Sequence, residues 1–246
     1  MLGKFERIFV QDQRSIDLLA SIGITKVTLA GDTRFDRVLQ IAATAGEIPR
    51  LRSFRGNEKM FLAGSSWWQD EEIISKYINS FPSRMKWVFA PHEIDKPNIE
   101  RLEKLIKVKC VRFSEYGEAS ANARVLIIDN IGMLSSAYRY AYIAAIGGGF
   151  GKGIHNILEA ACWGIPVVFG PRYENFREAV DLLALGGVEP FLDYEDFKRI
   201  MDLWLSDEKI YAVSAEMASK YVKENAGARD IIIKELLRKD INTACS

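Results

Sequence analysis

Short apolar runs and longer amphipathic stretches take turns along most of the chain. Apolar runs at 59–63 (KMFLA), 86–90 (KWVFA), 124–128 (RVLII), 142–146 (YIAAI) and 166–169 (PVVF), with weaker ones at 109–113 and 188–192, predict strands buried on both faces. Between them, helical periodicity predicts helices near 69–80, 97–107, 133–141, 156–163 and 175–185, and a largely helical C-terminus from about 194 to 239. Strands that alternate with helices make a parallel, doubly wound α/β sheet, Rossmann-like in outline.

Upstream, 7–11 (RIFVQ) and 26–30 (KVTLA) read as two strands around a short helix at 13–22. Such a β-α-β piece cannot bury both its faces alone. It is expected to complete a sheet whose other strands lie outside this chain, and the early entry into a strand is the pattern of a chain that begins partway through a larger protein. The expected division is therefore 1–36 as the final β-α-β of a preceding domain, 37–57 as a connection, and 58–246 as a Rossmann-like domain with a helical C-terminus.

Composition narrows the classes. The 246 residues carry 33 basic and 33 acidic side chains, so no net field favours nucleic acid. No apolar run reaches the roughly 18 residues that span a bilayer. Cys110, Cys162 and Cys245 fit no metal-ligand spacing and are expected as reduced thiols.

Ligands of doubly wound sheets bind beyond the carboxyl ends of the strands. The turns there are GSSW, PHE, DNIG, GGGFGKGIHN and GPRYEN, and all are expected on one rim. Gly64 and Ser65 at a strand end can offer donors to a phosphate, although a serine there also suits a helix cap. Pro91 and His92 can face a base or simply turn the chain. The glycines at 147, 148, 149, 151 and 153 allow positive φ and close approach of a ligand. They form neither a Walker loop nor a G-x-G-x-x-G opening. His155 and Asn156 stand where the next helix is predicted to begin, with its unpaired N–H groups directed into the turn. Glu159, three residues on, suits a bidentate grip on a ribose diol, or a first-turn acid favoured by the helix dipole. Asn130, Ser135 and Ser136 are possible caps. Trp67, Trp68, Tyr138, Tyr140 and Tyr142 read as packing residues. No Ser-His-Asp set, H-E-x-x-H or paired-carboxylate site is present, so the pattern is a nucleotide cradle with no evident base.

GDTRFD at 31–36, GSSWWQDEE at 64–72, the PHE turn at 91–93, DNIGMLSSAYRYA at 129–141 and GGGFGKGIHNILEAACWGIPVVFGP at 147–171 together resemble the 3-deoxy-D-manno-octulosonic acid (Kdo) transferases. The resemblance implies one half of a GT-B fold, the C-terminal donor-binding half, from an enzyme that transfers Kdo from CMP-Kdo to a lipid A precursor with inversion. It implies no metal or cofactor, no nucleic-acid partner, a place on the cytoplasmic side of the bacterial inner membrane, and membrane contact mainly through the other half. CMP contacts carried over from the family fall on Pro91 and His92, on Ile131, Gly132 and Met133, and on Asn156, Ile157, Leu158 and Glu159. Gly64, Ser65 and His155 would line the same cleft. The family pattern has Arg at 92, Glu at 133 and Pro at 157, where this chain has His, Met and Ile. The family's general base lies in its N-terminal half, so no catalytic residue is assigned here. Two alternatives stay open: a UDP-sugar transferase or UDP-GlcNAc 2-epimerase-like enzyme of the same fold, and a non-catalytic nucleotide-binding domain.

Overall fold

The computed structural model describes residues 2–120 and 122–244, with side chains described as far as Leu237; Cys245 lies outside the described residues. The chain divides into two compact units. One comprises the described residues of 1–40 and 222–246, the other Ile41–Tyr221.

In the first unit, β1 (Ile8–Val10) and β2 (Val27–Leu29) pair in parallel around α1 (Gln13–Ser21). Asp12 caps α1 by accepting the Ser15 N–H at 2.8 Å. α2 (Thr33–Thr44) begins inside the GDTRFD run. The carboxylate of Asp36 accepts the backbone N–H groups of Gly227 and Arg229, at 2.8 and 3.3 Å, where α11 (Ala228–Ala244) begins. That pairing spans 191 residues of sequence, which explains why the C-terminal helix groups with the N-terminal segment and not with the body expected at 58–246.

The second unit holds a seven-stranded, wholly parallel sheet. Its strands are β3 (Met60–Ser66), β4 (Lys86–Pro91), β5 (Cys110–Arg112), β6 (Val125–Ile127), β7 (Ile143–Ile146), β8 (Val167–Phe169) and β9 (Val188–Pro190). Their order is β5-β6-β4-β3-β7-β8-β9. Every run predicted as a strand forms one, within a few residues at its ends; β3, β4, β6, β7 and β8 are apolar and almost wholly buried, while the edge strands β5 and β9 are only partly covered. β7 and β8 are buried at every position. The intervening stretch 37–57 is mostly helical, with α3 (Pro49–Arg55) after α2.

α4 (Trp68–Ser80), α5 (Lys96–Leu105), α8 (Arg177–Ala184), α9 (Tyr194–Ser206) and α10 (Glu208–Glu224) follow the predicted helices. α9 buries Phe197, Ile200, Met201 and Trp204, the i, i+3, i+4, i+7 stripe of an amphipathic helix. Phe197 meets Phe61 and Tyr77 edge to face, at 5.8 and 5.5 Å between ring centres. Tyr138, Tyr140 and Tyr142 do act as packing residues: the first two are buried, and Tyr142 stacks on Tyr211 at 3.9 Å.

Two helices are much shorter than predicted. α6 spans Leu134–Ala137, followed by a single 3₁₀ turn to Tyr140, and α7 spans only Leu158–Ala161. Because all seven strands are parallel, the turns after them lie on one rim. The chain leaves β3 toward β4 on one side, while β7 pairs with β3 on the other. The switch point of the sheet is therefore between β3 and β7.

Candidate functional site

At the end of β3 the register slips between Gly64 and Ser66, and Ser65 takes φ +50, a left-handed conformation rare for a residue with a side chain. β7 explains why. The Gly147 N–H donates to the Gly64 carbonyl at 3.0 Å. A Cβ on Gly147 would lie 2.2 Å from the Ser65 carbonyl oxygen, and one on Gly64 would overlap the Tyr138 hydroxyl. The two turns at the switch point approach each other as only glycine backbone permits.

The glycines after β7 answer chiefly to the protein itself. Gly148 (φ +95) and Gly153 (φ +137) need positive φ, but a side chain on either would first meet protein atoms, Gly153 O or the Phe176 ring. The expectation that unpaired N–H groups face into this turn also changes. Gly148 N–H donates to Asp70 Oδ2 (3.1 Å), Gly151 and Gly153 N–H to the Gly148 carbonyl, and His155 N–H to the Gly147 carbonyl. Leu158 N–H donates to Asn156 Oδ1 (3.2 Å). With α7 reduced to four residues, the helix predicted from Asn156 presents no long dipole to an anion.

Asp70 is the keystone that sequence reasoning missed. It is 2% exposed, and its Oδ2 accepts both the Trp67 N–H (2.9 Å) at the start of α4 and the Gly148 N–H. Burial drives its pKa up from 3.8 to about 6, against the pull of those two backbone donors. Beside it, Glu71 is fully buried, with Arg101 and the Ser66 hydroxyl as partners. An acid three residues into a helix is a common capping sign, but its link to a turn 78 residues away is not visible in a linear reading.

An aromatic stack stands over this clamp. Trp67 lies 4.6 Å from His92 and 6.4 Å from His155, and the two imidazoles are 4.5 Å apart, all near parallel. Indole N–H can only donate, so the 3.0 Å contact from Trp67 Nε1 makes His155 Nε2 an acceptor and leaves the ring proton on Nδ1. Burial, then the nearby His92, lowers the His155 pKa, so the ring is neutral at pH 7. The rim position of both histidines thus reflects a real meeting, while Trp67, expected only to pack, joins them. His155 also borders a cavity of about 420 Å³ with Trp67, Trp68, Gln69, Gly148, Gly151, Lys152 and Gly153.

Four residues past His155, Glu159 is half-buried. Its two oxygens accept from Ser135 Oγ (2.6 Å) and Asn156 Nδ2 (3.2 Å), and each keeps a further acceptor position. Ser135, anticipated as a cap, instead orients this carboxylate. Ile157 and Leu158 are fully buried, so their side chains belong to the core and only their backbone can meet a ligand. Pro91 ends β4, and the His92 N–H donates to the Ser66 carbonyl. In the β6–α6 loop Ile131 is 90% exposed, Gly132 has φ +98, and Met133 caps α6 through its backbone.

Among the described residues no cluster of His, Cys, Asp or Glu could hold a metal ion, and no helix is long and apolar enough to cross a membrane. Cys110 and Cys162 are free thiols.

No family model matches the chain. Among curated proteins it is 27% identical to the 3-deoxy-D-manno-octulosonic acid transferase of Aquifex aeolicus, over 75% of this chain and 49% of that protein. It is also 27% identical to that of Rickettsia felis, over 94% of this chain and 51% of that one. The chain thus spans about half the length of the curated relatives it matches. Among solved structures, it aligns with the C-terminal CMP-Kdo binding domain of WaaA from Acinetobacter baumannii with a TM-score of 0.60 and 21% identity, over 75% of this chain and 97% of that domain. A UDP complex of Staphylococcus aureus MnaA gives a TM-score of 0.64 at 16% identity, over 95% of this chain and 61% of that one. Shape alone is shared with a domain described as CMP-Kdo binding and with a protein solved with UDP, whereas these sequence matches are to Kdo transferases. In fold the chain is a Rossmann-like domain of the kind found in GT-B proteins, and in sequence it is similar to the Kdo transferases.

Proposed function

We propose that the chain is the donor-binding half of an inverting transferase that moves Kdo from CMP-Kdo to a lipid A precursor, working at the cytoplasmic face of the bacterial inner membrane. The observation that carries this is the meeting, at the β3/β7 switch point, of the very segments that resemble the family: 64–66, 91–92 and 155–159. On this reading Glu159, held by Ser135 and Asn156, accepts from the ribose hydroxyls. Pro91, Gly132 and Met133 meet the base through backbone, with Ile131 beside it. Ile157 and Leu158 contribute backbone alone. Gly64 and Ser65 floor the cleft.

The three departures from the family pattern have physical consequences. His92 is committed to a stack with Trp67 and His155 and offers a ring face where a guanidinium would offer a fork. Met133 brings no charge. Ile157 is a core residue. The acceptor site, the general base and most membrane contact belong on this reading to the half that the chain does not span, and neither metal nor cofactor is needed.

Calorimetric titration with CMP, CMP-Kdo, UDP and UDP-GlcNAc tests the proposal. Cytidine nucleotides are expected to bind more tightly. Equal or tighter binding of the uridine pair would favour a UDP-sugar enzyme of the same fold and overturn it.

A further inference from the structure

We infer that Ser135 is a positioning residue that makes the site select ribose over deoxyribose, by setting one oxygen of Glu159 to receive one hydroxyl of the sugar's vicinal diol; this rests on the donor reading above. Glu159 is tethered at both oxygens, and by two different segments. Ser135 Oγ, in α6, donates to Oε2 at 2.6 Å, and Asn156 Nδ2, just before α7, donates to Oε1 at 3.2 Å. A carboxylate held at one oxygen can still swing about its terminal torsion, whose profile is broad. One held at both has its plane fixed. Each oxygen then uses one of its two acceptor positions and keeps the other. Two open positions side by side match two adjacent hydroxyls, one to each oxygen.

Ser135 is itself held. Its carbonyl accepts Trp163 Nε1–H at 3.1 Å, so its backbone is tied to the turn after α7 while its side chain is tied to α7. The single proton of its hydroxyl goes to Glu159, which fixes the direction of the bond. Both tethers of the carboxylate are neutral. Glu71, by contrast, has the guanidinium of Arg101 to balance its charge. Tyr138 and Cys162 lie close to Glu159, but burial, and after it the Glu159 charge, raises the pKa of both. They stay neutral and leave that charge in place. The carboxylate is therefore rigid, charged and open at both oxygens, and hydroxyl donors from a ligand complete it.

The experiment titrates CMP, 2′-deoxy-CMP and 3′-deoxy-CMP into the wild-type chain, Ser135→Ala and Ser135→Thr, with circular dichroism to confirm folding. Ser135→Cys, close in size and only a weak donor, takes the place of the alanine variant should that fail to fold. The wild type is expected to bind CMP about fivefold more tightly than either deoxynucleotide, the size of one hydrogen bond. In Ser135→Ala the preference over one deoxynucleotide, the one lacking the hydroxyl that meets Oε2, should fall below about twofold, while the preference over the other persists. Ser135→Thr keeps the hydroxyl and should retain both. An equal loss for all three nucleotides in Ser135→Ala overturns the inference and makes Ser135 a structural residue. Unchanged binding of all three in that variant overturns it as well. Equal affinity of the wild type for the three nucleotides also overturns it, while the cytidine site stands. Absence of binding by all three overturns the donor reading itself.

Discussion

Asp70 and Glu159 both flank the glycine turn, one at the head of α4 and the other in α7, and their surroundings differ in nearly every respect. Asp70 is 2% exposed and answers to backbone: its partners are the N–H groups of Trp67 and Gly148. Glu159 is half-buried and answers to side chains, Ser135 Oγ and Asn156 Nδ2. The first arrangement fixes the path of two chain segments and leaves the carboxylate out of reach of solvent. The second fixes a carboxylate and leaves it able to accept more. An acid beside such a turn can thus be spent on building it or keep acceptor capacity, and the partners it takes tell which.

Removing Asp70 should break the first half of this contrast most severely. At pH 5, where the raised pKa keeps its carboxyl largely protonated and the charge penalty is small, Asp70→Ala strands two buried donors at about 1–3 kcal/mol each. A loss of about 3 kcal/mol in unfolding free energy is expected, measured by urea denaturation. Asp70→Asn keeps an acceptor and isolates the charge. The folded pKa of about 6 stands above the unfolded 3.8, so between those values the folded protein holds the proton more tightly. The wild type should therefore lose stability as pH rises from 4 to 6, by at most about 3 kcal/mol at about 1.4 per pKa unit. In Asp70→Asn that slope should vanish. A wild-type profile flat over this window would mean that burial does not govern Asp70.

Glu159→Ala tests the other half. Unfolding free energy should change by less than about 1 kcal/mol, since the residue is half-buried and Ser135 and Asn156 can turn to water. CMP affinity should fall by about 2 kcal/mol, near thirtyfold. A large stability loss with unchanged affinity would make Glu159 a second structural acid and erase the distinction.

This contrast also marks what a linear reading can reach. The strands were legible because runs such as KMFLA and KWVFA are too apolar to lie anywhere but between two layers, and parallel strands must then place all their turns on one rim. The contact between Asn156 and Glu159 was legible in their three-residue spacing, although α7 begins only at Leu158. The purpose of the glycines was only half legible. Their clustering announces a tight turn, but that Gly147 must clear the Ser65 carbonyl depends on which strands become neighbours. α7 falls short of the expected 156–163 at both ends, starting only at Leu158 and leaving Cys162 and Trp163 past its last residue, while Gly164 (φ +67) closes the segment as its residue type suggests. Asp70 stayed hidden for the same reason as the grouping of α11 with Asp36: a single hydrogen bond between distant segments leaves no periodic trace.

The smallest effect concerns Trp67, which donates its backbone N–H to Asp70 and its ring N–H to His155. Trp67→Phe keeps the ring face and deletes only the indole N–H. The lost bond favoured neutral His155, so the imidazole pKa should rise toward its ordinary value. The folded pKa now lies below the unfolded one. The neutral ring therefore costs stability as pH falls through that interval, and the variant should show a shallower loss there. The net change at pH 7 should be about 1 kcal/mol, the worth of one neutral hydrogen bond. Imidazole nitrogen shifts in ¹⁵N-labelled protein provide the direct check. The wild type should show His155 with its proton on Nδ1, and Trp67→Phe a higher titration midpoint with a mixture of tautomers. A wild-type ring protonated on Nε2 would contradict the donor direction on which the whole stack depends.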